Sequence, residues 1–245
     1  MEEKEPVIII RDVHKAFGKN VVLDGFNLTV YRGENVAVLG KSGSGKSVLI
    51  KCIIGLLEPD SGYIEVLGQD ISRLSHIEMD QLRAKVGFLF QSNALYDSMT
   101  VRENLEFPLR RHWIDVTEEQ QNAMVMEVLE SVGLPHTVDM LPVELSGGMR
   151  KRIALARTLI LKPEIILYDE PTTGLDPITG LEITELIKTI QHSRQASSIL
   201  ISHDLKLARI AADRIAMLID GKCRQEGAYE ELIAGADPAV LAFFA

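Results

Sequence analysis

The chain has 245 residues, of which 46% are hydrophobic and 25% are charged, and its formal net charge is −9. This composition provides a full core and excludes a disordered or fibrous protein, and the acidic balance argues against nucleic acid as a partner. The two cysteines, Cys52 and Cys223, lie in no CxxC or Cys/His cluster, which argues against a zinc site or a disulfide framework.

The longest apolar runs, such as residues 7–10 and 165–168, have the length of strands. They are far shorter than the roughly 20 residues that cross a bilayer. The acidic start, residues 1–6, lacks the basic and apolar regions of a secretion signal. We therefore expect a cytoplasmic chain that does not span a membrane by itself.

The first third of the chain reads as strands around one helix. Val7 to Val30 predict short β segments, with turns at residues 18–20 and at Asp24-Gly25. Residues 34–39 predict a buried strand that runs directly into a glycine-rich loop, and Lys46 to Leu57 predict a helix after that loop. A turn at residues 60–62 then precedes a further strand at 63–68.

Between Gln91 and Ser146 the pattern changes from strand to helix. Thr117 to Gln120 form a capping box, and Gly133 ends the helix that follows. The apolar residues of that helix recur at helical spacing: Val125, Val128, Leu129 and Val132.

Residues 165–168 and 198–201 predict buried strands separated by helices, which is typical of a parallel sheet. We therefore predict one α/β domain over residues 1–245. Its core, at 1–90 and 155–245, has a mainly parallel sheet and an antiparallel β subdomain, and a helical lobe is inserted at about 91–154.

The glycine-rich loop fills the phosphate-loop pattern of two glycines, a lysine and a hydroxyl residue at fixed spacing. Its residues are Gly40, Lys41, Ser42, Gly43, Ser44, Gly45, Lys46 and Ser47. The backbone N–H groups of such a loop point at phosphate oxygens, and the following helix adds its positive end. Lys46 is then expected to reach the β- and γ-phosphates of ATP, and Ser47 to hold Mg²⁺. The alternative is a glycine-rich turn with a surface lysine.

Polar residues follow three of the predicted strands, at the edge where ligands bind in open α/β sheets. Asp169 and Glu170 follow residues 165–168, His203 follows 198–202, and Gln91 ends 86–90. We assign Asp169 to Mg²⁺ and Glu170 to activating the attacking water as general base. His203 is a candidate contact of the γ-phosphate, and Gln91 a candidate sensor of Mg²⁺ and the water. Each residue alone is also compatible with a polar strand end.

The pentad Leu145 to Met149 contains Ser146, Gly147 and Gly148 and precedes a run of helical periodicity. It predicts a helix N-terminus of free amides with a hydroxyl cap, which is a second anion-binding end. Because the phosphate loop already surrounds one nucleotide, this end best fits a nucleotide held by another subunit. In isolation, a plain serine cap explains the pentad equally well.

This ordered set of motifs closely resembles the nucleotide-binding subunits of ABC transporters over nearly the whole chain. The resemblance implies a phosphate-loop NTPase core, in which residues 40–47 are the Walker A motif and Asp169 ends Walker B. It also implies that Gln91 is the Q-loop residue, that residues 174–176, ending in Asp176, are the D-loop, and that His203 is the switch histidine.

The same resemblance implies that Phe17 stacks on adenine, although a phenylalanine on an early strand suits the core at least as well. The implied assembly is a head-to-tail dimer. Each of its two ATP molecules lies between the Walker A motif of one chain and the signature, residues 145–149, of the other.

A chain without a membrane span implies a separate integral membrane permease as its partner. The stretch after Gln91 is dense in apolar residues, most of which suit the core of the lobe. We expect Leu95 and Tyr96 to contact a coupling helix of the permease in the helix-in-groove manner. A non-transport ABC ATPase is the second class, but the lobe lacks the sustained heptads of the coiled-coil type.

Residues 90–110 and Met149 resemble the ATPases of the Mla and related MCE-protein systems, which move lipids between bacterial membranes. Most members of the family have glutamine where Met149 stands. The resemblance implies phospholipid transport at the inner face of the plasma membrane, with an MCE-domain protein as a further partner. The competing interpretation is an importer of amino acids, metals or other small polar solutes.

Two features outside these motifs also receive an interpretation. The basic run Arg150-Lys151-Arg152 is interpreted as a solvated helix face. Near the end of the chain, Phe243 and Phe244 are expected to dock either on the core of this chain or on a partner subunit.

Overall fold

A long β-hairpin opens the fold in the computed structural model, which describes residues 5–112, 114–235 and 237–244. Strands β1 (Pro6–Phe17) and β2 (Asn20–Tyr31) pair antiparallel around a turn at 18–19. The predicted second turn at Asp24-Gly25 is wrong. Gly25 has φ 80° inside β2, and the pairing skips it, because Val13 pairs with Phe26 and His14 with Asp24. The glycine therefore forms a bulge and does not reverse the chain.

The phosphate loop lies between a strand and a helix, as the pattern requires. The elements up to residue 89 are β3 (Asn35–Leu39), α1 (Lys46–Ile53), β4 (Ser61–Val66), β5 (Gln69–Asp70), α2 (His76–Ala84) and β6 (Val86–Leu89). Helix α1 ends at Ile53, short of the predicted Leu57, and Gly55 with φ 63° follows it. Strands β4 and β5 join the hairpin in an antiparallel sheet of order β2-β1-β4-β5.

Three helices follow β6: α3 (Val101–Arg111), α4 (Glu118–Ser131) and α5 (Gly147–Leu159). The capping box of α4 forms as predicted. Thr117 Oγ1 accepts from Gln120 N at 3.2 Å, and Gln120 Oε1 accepts from Thr117 N at 2.9 Å. Helix α5 runs unbroken through residue 154 and packs against α3, α4 and β6. It therefore joins the helical lobe to the sheet.

The remaining elements alternate between strand and helix up to residue 211. They are β7 (Ile165–Asp169), α6 (Pro177–Arg194), β8 (Ser197–Ser202), α7 (Leu205–Ala211), β9 (Arg214–Ile219), β10 (Lys222–Gly227), α8 (Tyr229–Ala234) and α9 (Pro238–Phe244). The second sheet has the order β10-β9-β3-β8-β7-β6, and only the edge pair β10–β9 is antiparallel. The predicted fold class is confirmed.

The parallel sheet is buried on both faces. In β7, Ile166 and Tyr168 join a core formed with the helices of the lobe, α6 and α7, whereas Ile165 and Leu167 join a core formed with α1 and the antiparallel sheet. Because both faces are covered, ligands have access to this sheet only at the ends of its strands. Phe243 and Phe244 pack against the helix-side core, so they dock on the chain itself. Among the described residues, no helix is long and apolar enough to cross a bilayer.

Gly62 tests the contact between β4 and β1. Its φ is 102°, and a Cβ there would lie 2.4 Å from Asp12 O and 2.6 Å from Val13 Cα. We expect Gly62→Ala to lower the free energy of unfolding by about 2–5 kcal/mol, from left-handed strain and from overpacking. The control is Gly68→Ala, where φ is 74° and no atom lies within 4 Å; there we expect a loss of about 1–2 kcal/mol from strain alone. Urea unfolding measures both, and equal losses would contradict the packing.

Candidate active site

A cleft of about 400 Å³ lies at the carboxyl ends of the parallel strands. Strands β3, β6, β7 and β8 all end at this edge, because they are parallel neighbours in the sheet. The cleft is lined by Phe17, Val22, Ser42, Gly43, Gly45, Lys46, Ser47, Val48, Gln91, Glu170, Thr173 and His203. The fold thus brings most of the phosphate loop together with the three predicted catalytic side chains.

The phosphate loop has the shape of an anion cradle. Gly45 has φ 102° directly before α1, and a Cβ there would lie 2.5 Å from Val22 Cγ1, so only glycine fits. Lys46 is buried, and its ammonium donates to Gly40 O at 2.9 Å and Lys41 O at 3.0 Å. Ser44 Oγ is buried with no hydrogen-bond partner among the described residues. A cation and a free hydroxyl inside one glycine loop fit the phosphates of a nucleotide.

Ser47 and Asp169 meet at the end of β7. Ser47 Oγ donates to Asp169 Oδ1 at 2.9 Å. Burial raises the pKa of Asp169 above its ordinary value, against the hydrogen bond from Ser47, and the charge of Glu170 raises it further. A hydroxyl beside a carboxylate in a cleft that binds phosphate is the oxygen donor set that Mg²⁺ prefers.

Glu170 is held in position by contacts with four residues, which lie in α1, in β8, and in the loops after β7 and β8. Its backbone has φ 49°, and its N–H donates to Ile201 O at 3.0 Å. Its Oε2 accepts from Thr173 Oγ1 at 3.2 Å and lies 2.9 Å from His203 Nδ1, while Oε1 lies 3.6 Å from Lys46 Nζ. A non-glycine residue in this strained region is a feature of functional sites. Thr173 is a site residue that the sequence analysis missed, and its only signal is its position three residues after Glu170.

Gln91 and Phe17 lie at the rim of the cleft. Gln91 follows β6 and is exposed. Phe17 ends β1 and is 49% exposed, so it does not belong to the core. An exposed aromatic ring beside a phosphate loop is a surface on which a nucleotide base can stack.

The signature does not line this cleft. Ser146 caps α5, where its Oγ accepts from Met149 N at 3.2 Å, and Ser146 and Gly147 are exposed. Gly148 lies against α6, because a Cβ there would be 2.6 Å from Thr179 Cγ2. Asp176 caps α6 by accepting from the N–H of Ile178 and of Thr179, each at 3.1 Å. The chain therefore presents the signature and the D-loop as a second surface, apart from its own phosphate loop.

The interpretation of residues 150–152 as a solvated face is wrong. Lys151 is 1% exposed and donates to Gln91 O at 3.0 Å. Arg150 donates to Leu145 O at 2.8 Å, and Arg152 donates to Val132 O at 3.3 Å and to Glu182 at 2.9 Å. The three basic side chains therefore form hydrogen bonds within the chain. They can do so because α5 passes between the lobe and the sheet, where main-chain carbonyl groups lie on several sides of the helix.

The chain is similar in sequence to ATP-binding proteins of several transport systems. Over 226 residues it is 41% identical to the intermembrane phospholipid transport system ATP-binding protein MlaF of Haemophilus influenzae, covering 92% of this chain and 85% of that protein. Over 223 residues it is 40% identical to the methionine import ATP-binding protein MetN of Rhizobium johnstonii, covering 91% of this chain and 61% of that protein.

A family model described as ABC transporter matches residues 23–173. In structure, the chain is similar to the ATP-binding cassette MJ0796, solved as a dimer in a post-hydrolysis state bound to ADP and phosphate. The TM-score is 0.81 and the identity 32%, over 90% of this chain and 98% of that one. The chain therefore belongs to the ABC transporter family, as an ATP-binding and ATP-hydrolysing cassette.

Proposed function

We propose that this ATPase works as a head-to-tail dimer that powers phospholipid transport through a separate permease at the inner face of the plasma membrane. The observation that carries the dimer is the separation of two phosphate-seeking surfaces. The phosphate loop lines the cleft, whereas the exposed amide end of α5 at Ser146 and Gly147 lies outside it. Two chains arranged head to tail place each signature over the open cleft of the other.

Within the cleft, residues 40–47 bind the phosphates of ATP, and Lys46 neutralises the β- and γ-phosphate charge. Ser47, Asp169 and Gln91 would hold Mg²⁺, which would supply positive charge against the phosphate oxygens. Phe17 stacks on the adenine. Asp176 completes the site from the D-loop of the partner chain.

Glu170 acts as general base and takes a proton from the water that attacks the γ-phosphate. His203 contacts both this carboxylate, at 2.9 Å, and the γ-phosphate. Thr173 donates to the same carboxylate oxygen, so the two side chains fix the direction of the base before ATP arrives. Such a base preorganised by its neighbours reduces the reorganisation needed in the transition state.

Similarity supports phospholipid as the substrate class, since the chain covers 85% of the phospholipid transport ATPase MlaF. Met149 in place of the usual glutamine adds support from the signature itself. The second candidate is a small-solute importer, because the identity to the methionine importer MetN, at 40%, is almost the same. An MCE-domain lipid-binding protein is the further partner that the phospholipid assignment requires.

The permease is proposed to dock in a groove of about 450 Å³ between the lobe and β6. Tyr96 and Phe107 line it with ring centroids 4.9 Å apart, and Tyr96 is 43% exposed. Leu95, the other residue expected at this contact, packs against the helix-side core. The contact is therefore assigned to Tyr96 and the groove, and Leu95 anchors the loop that carries Tyr96 to the core.

Glu170→Gln tests the general base. We expect ATP to bind within a few-fold of the native affinity and turnover to fall by a factor of about 10²–10⁴, because the amide cannot accept the proton. Measurements of steady-state phosphate release and of nucleotide affinity by fluorescence titration separate the two effects. The matched control is Glu185→Gln, an exposed residue of α6, which should keep native turnover. Turnover near the native rate in Glu170→Gln would remove this residue from its role.

Ser146→Asp tests the shared site. Aspartate caps a helix as well as serine does, so α5 should stay intact, but its charge would repel the partner's phosphates. We expect loss of hydrolysis with an unchanged melting temperature, and a much smaller loss for the neutral isostere Ser146→Asn. A mixture of Ser146→Asp and Lys46→Ala chains should regain part of the activity, since their heterodimer contains one intact site and one damaged site. A mixture as inactive as its components would contradict a site shared between chains.

Tyr96→Glu tests the docking groove and the substrate together. The tagged chain, extracted in detergent from its native membrane, should bring the permease and an excess of phospholipid over a mock purification. Tyr96→Glu should lose both, whereas Ile77→Glu, at an exposed position of α2, should keep both. Mass spectrometry identifies the partner and the lipid. A permease accompanied by a solute-binding protein and no phospholipid would favour the importer.

A further inference from the structure

Helix α5 donates three hydrogen bonds to the loop that carries Gln91. Lys151 Nζ donates to Gln91 O at 3.0 Å, and the Arg157 guanidinium donates to Asn93 O at 3.0 Å and to Ala94 O at 2.7 Å. Hydrogen bonds from charged donors are roughly twice as strong as neutral ones. We call Lys151 and Arg157 the α5 clamp.

The clamped loop has a strained backbone. Asn93 and Ala94 have φ values of 64° and 52°, two consecutive non-glycine residues in the left-handed region. Such residues persist only where the surrounding structure holds them. Arg157 binds the carbonyl groups of these two residues, so it holds the loop at its strained point.

The burial of Lys151 disfavours the charged form of its side chain. Its side chain is 1% exposed, and burial lowers its pKa to about 8, while the charge of Asp169 on β7 raises it. Lysine is almost never fully buried unless it is paired. Among the described residues, its hydrogen-bond acceptor is the Gln91 carbonyl. A lysine kept in this position serves to hold Gln91, not to solvate the helix.

One helix therefore contacts both ATP sites of a dimer. The N-terminal amides of α5, at Gly147 and Gly148, face the partner's nucleotide in the proposed assembly, and Lys151 follows about 6 Å along the helix axis. Gln91 lines the chain's own cleft. A shift of α5 on closing over the partner's ATP would move the Gln91 backbone with it.

We propose, on the basis of the head-to-tail dimer above, that Lys151 and Arg157 are positioning residues that couple the two ATP sites. When the signature of one chain engages the partner's ATP, the α5 clamp sets Gln91 in the cleft of that same chain. Occupation of one site thereby prepares the other for hydrolysis, so that the Hill coefficient of the dimer for ATP depends on Lys151 and Arg157.

Lys151→Met tests the coupling, because methionine keeps the length of the side chain and removes the donor. We expect kcat to fall by about 10-fold, from misplacement of Gln91, with KM nearly unchanged. The Hill coefficient for ATP should fall from above 1 to about 1. Lys151→Arg, which keeps a donor, should restore both values. Arg157→Lys should not restore what Arg157→Met loses, since a point charge cannot bind two carbonyls as a guanidinium fork does.

Arg152→Met is the matched control. Arg152 lies on the same helix and also donates to a main-chain carbonyl, that of Val132, but its hydrogen-bond acceptors among the described residues, Val132 and Glu182, lie outside the Gln91 loop. It should keep the native Hill coefficient at a melting temperature similar to that of Lys151→Met. An unchanged kcat and Hill coefficient in Lys151→Met would overturn the coupling.

A separate assay tests the formation of the dimer independently of the coupling between its ATP sites. Glu170→Gln chains should dimerise with ATP in gel filtration, with or without Lys151→Met. If Glu170→Gln chains dimerise both with and without Lys151→Met, and the Hill coefficient of the Lys151 and Arg157 variants is native, the coupling fails and the proposed function stands. If Glu170→Gln forms no dimer with ATP, the proposed function and the coupling fail together.

Discussion

The parallel sheet is covered on both faces, and the rest of the molecule depends on this constraint. Apolar side chains alternate between two cores along β7, so neither face of the sheet is open to a ligand. Only the ends of the strands remain, and five neighbouring parallel strands end on the same side of the sheet. Residues distant in sequence, such as Lys46 and His203, thereby meet in one cleft without any dedicated scaffold.

Inside that cleft the geometry depends on Glu170. Its carboxylate lies near a lysine, a histidine and a threonine that come from different segments. Its backbone has φ 49°, in the left-handed region, while the preceding Asp169 accepts a hydrogen bond from Ser47. Two adjacent carboxylates thus occupy different surroundings, which allows one to serve the metal and the other the water.

The features that could be predicted from the sequence are those encoded by neighbouring residues. The phosphate loop, the capping box at Thr117 and the buried strand at 165–168 follow from spacing and periodicity, and the structure contains all three. The Asp24-Gly25 turn was mispredicted because a glycine with positive φ suits a bulge as well as a turn. Lys151 was misread because its partner, the Gln91 carbonyl, is 60 residues away in sequence, and no local pattern reports such a contact.

The contact between Gly148 and Thr179 couples the start of α5 to the start of α6. The signature glycine lies directly against the first turn of α6, where a side chain at position 148 would meet the threonine methyl group. Packing within the chain therefore restricts position 148 independently of any ligand. A smaller residue at position 179 would remove this contact, so the size of side chain that fits at the start of α5 depends on the first turn of α6.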